Sequence, residues 1–225
     1  PLLTSNMAEQ AEAMRGTVAS MLRGIERYNP ENIATLERYV ELQARENTYD
    51  LEANLALLKL YQFNPGTYQS TVACQILIKA LTNLPHTDFV LCKCLLGQDQ
   101  MEDDNIKRIM YLHDLLEMCQ FRTFWTEKHQ YADLTAGIKD FSDSIRKYIC
   151  HVISITYQHI ERHVLGQLLG NIDDATQQAW MNKYGWKMND DGCIFVANQE
   201  ETVKTKNITE KIDFDSVAGI MAACR

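Results

Sequence analysis

Between Asn29 and Leu81 the apolar residues return every three or four positions, interrupted chiefly by two Asn-Pro pairs, Asn29-Pro30 and Asn64-Pro65. That spacing gathers apolar side chains on one face of an α-helix and argues against strands over this length. Only four prolines and ten glycines occur in 225 residues, so long stretches elsewhere also pass without a breaker. The fold class expected is mainly α.

The first helix begins at Asn29, a good N-cap, with Pro30 suited to the first helical position and Glu31 to the positive helix end. Ile33, Leu36, Val40 and Ala44 line its inner face, and Asn47 and Thr48 stop it. The next helix, Asp50 to Gln62, carries two apolar stripes, one of Leu51, Leu55 and Leu58 and one of Ala53, Leu57, Leu60 and Tyr61. A helix apolar on two sides is sandwiched between neighbours, so this one is expected to be the most buried, with Leu55 in the core. A third helix is expected from Asn64-Pro65, with Tyr68, Val72, Ile76 and Ala80 inward. The two Asn-Pro pairs are 64 − 29 = 35 residues apart, the period of stacked helix pairs, although no named repeat consensus is present. Shorter helices follow over Asp88 to Leu96, Ile106 to Met118 and Phe121 to about Ala136. The acidic stretch Gln98 to Asn105 between the first two is expected to be a solvated connection.

After Gly137 the grain changes. One helix runs to about Tyr157, a second covers His159 to Leu169, and Asp173 caps a third that ends at Gly185. Two short apolar runs follow, Trp186 to Met188 and Cys193 to Ala197, around the hairpin signal Asn189-Asp190-Asp191-Gly192. Three helices and a β-hairpin make a winged helix. Trp180 and Trp186 are expected in its core. A charged stretch, Gln199 to Lys206, then leads to a last amphipathic segment carrying Ile212, Val217, Ile220 and Met221. The organisation expected is therefore a HEAT-like helical repeat domain over 14–136, a winged-helix domain over 137–200, and a charged linker with a C-terminal helix over 201–225.

Charge narrows the function. Twenty-two basic and 30 acidic residues give a formal charge of −8, which leaves no cation surplus for a phosphate backbone. The third helix of the small module starts Asp173-Asp174 and carries Lys183 as its one cation, and Asp190-Asp191 sit in the turn. Carboxylates there would face phosphates. Nucleic-acid binding, with Gln177, Gln178 and Asn182 reading adenine, is retained only as the alternative function.

The chain has no run of about eighteen apolar residues and its first residues lack the regions of a signal peptide, so an intracellular, cytoplasmic protein with a nuclear pool allowed is expected. Met7 is a candidate initiator, and Pro1 to Asn6 are set aside from the fold. Seven scattered cysteines fit buried thiols in a reducing compartment. Asn207-Ile208-Thr209 matches the glycosylation acceptor by chance on this view.

No enzyme chemistry is legible. His159 and His163 have metal-ligand spacing on a helix, but Glu161 stands midway between them and no third ligand is near, so they are taken as surface histidines. Cys92 and Cys94 would project about 200° apart on a helix and cannot readily share a metal. Phosphate loops, nucleophile elbows and Cys-x-x-Cys pairs are missing. No catalytic, cofactor or metal residue is assigned, and a metal-dependent hydrolase is a distant third reading.

The run RYNPENIATLERYVELQARENTYDLEANLALLKLYQFNP, with LTNLPHTDF, ITYQHIERHVLGQLLG, MNKYGW and KIDFDSV, resembles the K subunits of the eukaryotic translation initiation factor 3 complex. The resemblance extends from about Met14 to Met221 and is weakest at Gln98 to Asn105 and Glu127 to Thr135. It implies a non-catalytic scaffold subunit of PCI-like architecture, related to subunits of the proteasome lid and signalosome, that needs no cofactor. It further implies association with other initiation factor 3 subunits, the L subunit first, and contact with the small ribosomal subunit and mRNA through the complex. Related subunits join through winged helices and bundle their last helices. The candidate partner-binding residues are accordingly a presumed edge strand, Cys193, Ile194, Phe195, Val196 and Ala197, and the tail residues Ile212, Val217, Ile220 and Met221.

Overall fold

The computed structural model describes residues 13–189 and 192–198, together with Val217 and residues 221–223. The described residues are mainly helical, with one small three-stranded sheet. Helix α1 covers residues 13–21. Both Asn-Pro pairs open tight 3₁₀ turns, Pro30–Asn32 and Pro65–Thr67. The first turn runs directly into α2 (Ile33–Glu46), with the Asn29 side chain accepting from the Glu31 N–H. Asn47, in the left-handed conformation at φ 53°, ends α2. Asp50 then caps α3 (Leu51–Phe63) by accepting from the Ala53 N–H. The second Asn-Pro turn stops short of the next helix, α4 (Ser70–Leu81), and Tyr68 lies outside it.

Helix α4, not α3, is the most enclosed element. Nine of its twelve residues are buried, against seven of thirteen in α3. The cause is position: α4 packs against α2, α3, α5 (Asp88–Lys93) and α7 (Asp104–Glu117). One expected α3 stripe is realised by Ala53, Leu57, Leu60 and Tyr61, whereas Leu51 and Leu55 of the other are only half-buried. The expectation that Leu55 is a core residue is therefore corrected.

The acidic stretch 98–105 is also more ordered than a solvated loop. It contains the single turn α6 (Gln98–Met101) and the cap of α7. Asp103 accepts from the N–H groups of Asn105 and Ile106 and from the Ser70 hydroxyl at 2.8 Å. The Ser70 bond above all holds its carboxyl below the usual range. The expected helix from Phe121 to Ala136 breaks at Tyr131 into α8 (Phe121–Gln130) and α9 (Ala132–Thr135).

Polar groups are threaded through this core. Gln43 and Asn54 bond each other at 2.8 Å, and the Gln43 oxygen accepts from the Asp50 N–H, so α2 and the start of α3 are cross-linked. Lys79, 1% exposed within α4, donates to the Asn47 side chain at 3.1 Å, and burial lowers its pKa from 10.5 to about 8. An unfolded chain therefore holds this proton more tightly than the folded one between about pH 8 and 10.5, and the lysine's contribution to stability rises with pH across that window. Buried thiols such as Cys92, whose pKa burial pushes up to about 12, act in the opposite direction above pH 9. The difference between wild type and Lys79→Met isolates the lysine. We expect Lys79→Met to match or exceed wild-type stability at pH 7, by up to about 3 kcal/mol, and the gap to narrow toward pH 10 in urea unfolding. A variant that unfolds at pH 7 would show the ammonium to be well satisfied in place.

The C-terminal part begins with α10 (Phe141–Thr156) and proceeds through strand β1 (His159–Glu161), α11 (Arg162–Leu168), α12 (Asp174–Tyr184), strand β2 (Lys187–Met188) and strand β3 (Cys193–Phe195). Asp173 caps α12 by accepting from the Thr176 N–H, and Gly185 at φ 72° ends it. The expected helix from His159 is corrected, because its first three residues form β1. The chain is extended at Tyr157, and the Val196 N–H donates to the Gln158 carbonyl at 2.9 Å, which starts the ladder. Trp180 and Trp186 are buried, as expected, and flank Tyr184.

One indole joins the two parts. Trp125 of α8 donates to the Leu168 carbonyl at 2.8 Å, while the Arg146 guanidinium lies 5.1 Å from the indole centre and donates to the Leu169 carbonyl. Gly170, at φ 89°, lies against the indole so closely that a Cβ would stand 2.8 Å from its Cδ2.

Candidate protein-interaction surface

The sheet order is β1-β3-β2, both pairs antiparallel. Strand β3 is therefore the centre of the sheet, and the expectation that Cys193 to Ala197 form an unpaired edge is corrected. The missing partner is β1, which lies in the stretch expected to be helical from His159. Ile194 pairs with Ile160 and is fully buried, and Val196 is also buried. Cys193, Phe195 and Ala197 are half-buried. None of these five side chains is openly exposed.

The true edges are the outer sides of β1 and β2, and ladder parity says which backbone groups they offer. The Asn189 N–H donates to the Cys193 carbonyl at 2.8 Å, so Asn189 opposes Cys193 as a bonded pair. Lys187 opposite Phe195 is the next bonded pair, and Met188 opposite Ile194 lies between them. The N–H and carbonyl of Met188 thus face away from β3. On the other side, Val196 bonds Gln158 and Ile160 opposes Ile194, so the outward groups of β1 belong to His159 and Glu161. Lys187 and Met188 are both exposed, and no further strand covers either edge among the described residues.

Of the four tail residues, Val217 and Met221 are helical and exposed, Met221 at 70%. Ile212 and Ile220 lie outside the described residues. A further apolar surface escaped the sequence: Ile25 is 83% and Phe63 63% exposed, and Phe63 meets Tyr28 edge-to-face at 6.1 Å. Phe63 is the last residue of α3, next to exposed Gln62, and Ile25 sits in the 3₁₀ turn Gly24–Tyr28, where helical periodicity gives no signal.

The polar features of the C-terminal part are internally paired. A cleft of about 650 Å³ beside β1 is lined by Glu161, Arg162, His163, Asp174, Gln177 and Cys193. Within it Arg162 meets Asp174 at 3.1 Å and His163 meets Glu161 at 3.1 Å. His159 and His163 fall on a strand and a helix, not on one helical face, which removes the basis of their metal-ligand spacing. The Lys183 ammonium, the one cation of α12, sits 4.7 Å from the Trp180 ring centre. Cys92 is buried and Cys94 exposed.

Comparison with known proteins bears on the whole of this surface. The model of the CSN8/PSMD8/EIF3K family matches residues 67–207. A Xenopus laevis protein named eukaryotic translation initiation factor 3 subunit K is 61% identical over 212 residues, 94% of this chain and 97% of its own. The chain belongs to the initiation factor 3 subunit K family. The human subunit K is 60% identical with the same coverage, and that of Bombyx mori 58% identical over 213 residues. The family match begins before α4 and ends beyond β3, so the Trp125–Gly170 joint and both sheet edges lie inside the segment that defines the family. The relatives are named as subunits of an initiation factor and not as enzymes. No described helix is long and apolar enough to cross a membrane.

Proposed function

We propose that the chain is a non-catalytic scaffold subunit of eukaryotic translation initiation factor 3 that binds neighbouring PCI-type subunits, the L subunit first. The carrying observation is the 61% identity to a named subunit K over nearly all of both chains. Through the complex it would support recruitment of the small ribosomal subunit and mRNA, in the cytoplasm with a nuclear pool allowed. The order α10-β1-α11-α12-β2-β3 supports reading 137–200 as a winged helix. The successive packing of α2, α4 and α7 supports a HEAT-like stack over 14–136. The expected charged linker and C-terminal amphipathic helix over 201–225 lie outside the described residues except for Val217 and residues 221–223, which are helical. Direct RNA contact has little support, since Arg162 and Lys183 are already engaged and Asp174 stands at the start of α12.

The interface would form at a sheet edge, with the β2 edge the better candidate because both its residues are exposed. Backbone hydrogen bonds from Met188 would set direction, and Val217 and Met221 would add apolar area. Met188→Pro removes the outward N–H without touching the ladder to β3, a placement that edge strands tolerate. Co-expressed with the L subunit of the same organism, wild type should be captured as a stable pair. Met188→Pro should melt within about 2 °C of wild type and lose about tenfold or more in affinity. Undiminished capture would move the interface to β1 or the tail, and failure of wild type to pair would reject the L-subunit reading. Binding that collapses steeply with salt and needs RNA would favour the nucleic-acid reading.

A further inference from the structure

Helix α7 ends in an arrangement that its own electrostatics disfavours. Asp114 and Glu117 occupy its last turn, where the helix dipole is negative, and no basic residue accompanies them there. Directly before them stands His113, with a side chain only 7% exposed. Its ring lies flat on Phe89 of α5, at 4.0 Å between centres and 8° between planes, which fixes its orientation. That orientation directs Nδ1 at both carboxylates, 3.5 Å from Asp114 Oδ1 and 3.9 Å from Glu117 Oε2. These distances are at or beyond the limit of a good hydrogen bond, and the His113 side chain has no hydrogen-bond partner outside the group among the described residues.

The spacing suits a metal ion. Ligand bonds of about 2.0–2.2 Å in a tetrahedral site put donor atoms about 3.3–3.6 Å apart. One donor atom from each of the three residues can be chosen so that all lie within 4.8 Å of one another. The two carboxylates are 55% and 69% exposed and can swing inward by the remaining few tenths of an ångström to an ångström. His113 and Glu117 are one helical turn apart on the same face, and a mixed imidazole and carboxylate set suits Zn²⁺. We propose that His113, Asp114 and Glu117 form a surface site for a divalent transition-metal ion such as Zn²⁺, with solvent completing the coordination. The ion would neutralise the two acids, offset the helix dipole and tie the end of α7 to α5 through the stacked imidazole.

The test is calorimetric titration of the full chain with Zn²⁺, alongside Co²⁺ absorption. Exposed Cys94 and Cys119 can also take zinc, so the deciding variants leave the thiols alone. Glu117→Gln and Asp114→Asn change exposed side chains and keep the fold. Expected are a saturable site of one ion per chain, a Co²⁺ spectrum without a thiolate charge-transfer band, and an affinity loss of at least about tenfold in either variant, the smallest loss seen even for outer-sphere partners. His113→Asn should abolish the site, and because it also removes the Phe89 stack its melting curve is recorded beside it. Wild type that takes no ion at 100-fold excess, or binding unchanged in Glu117→Gln and Asp114→Asn, overturns the proposal.

Discussion

Leu77→Ala is expected to cost about 2–5 kcal/mol, and Leu55→Ala in the preceding helix only about 1 kcal/mol. Leu77 is wholly buried in α4, enclosed by α2, α3, α5 and α7, so deleting three carbons leaves a cavity that four helices would have to move to fill. Leu55 is half-buried, and solvent fills the space it leaves. Urea unfolding followed by circular dichroism gives both values on one scale. Equal costs would mean that α3 is as enclosed as α4 and that the observed order of burial is wrong.

The contrast also shows what an apolar pattern can and cannot reveal. Two stripes on α3 state that two faces avoid water, but not how many neighbours arrive to cover them. Helix α4 hid its burial behind Lys79, which makes a nearly continuous apolar run look amphipathic. The lysine is tolerated because Asn47, 32 residues earlier and held in a left-handed turn, presents its side-chain oxygen to the ammonium. That partner comes from the fold and cannot be read along the chain. Local signals fared better: Asn47 stops α2, Asp173 caps α12 and Gly185 ends it. Each depends on a few adjacent backbone groups.

The sheet edge was illegible for the same reason. Ile160 has apolar neighbours at the spacing of a helix and also pairs across to Ile194, 34 residues later. Only the second relation decides whether β3 is edge or centre. Once β1 takes its place, the candidate surface shifts from the five residues of the 193–197 run to the outward backbone of β1 and β2. Membership in the subunit K family was legible from long matches, but those matches carry no information about which strand stands outermost.

Gly170 offers the sharpest test of how the two parts of the chain are held together. Gly170 and Gly185 both adopt positive φ, at 89° and 72°, so alanine at either position incurs about 1–2 kcal/mol of backbone strain. At Gly185 that is the whole cost, because no atom lies within 4 Å of an added Cβ. At Gly170 the Cβ would stand 2.8 Å from Trp125 Cδ2 and 3.0 Å from Cε2, inside any real contact distance. The indole cannot simply retreat. Its N–H is bonded to the Leu168 carbonyl, and the Arg146 guanidinium lies near the ring while bonded to the Leu169 carbonyl. Moving the ring breaks the Leu168 bond, worth about 1 kcal/mol, and opens the packing between α8 and α11. Gly170→Ala should therefore lose about 2 kcal/mol more than Gly185→Ala in urea unfolding, and the Trp125 environment should change in near-ultraviolet circular dichroism. Equal losses would mean that the indole yields freely and that the joint between body and C-terminal part is held instead by contacts such as that of the Tyr148 hydroxyl of α10 with the Leu116 carbonyl.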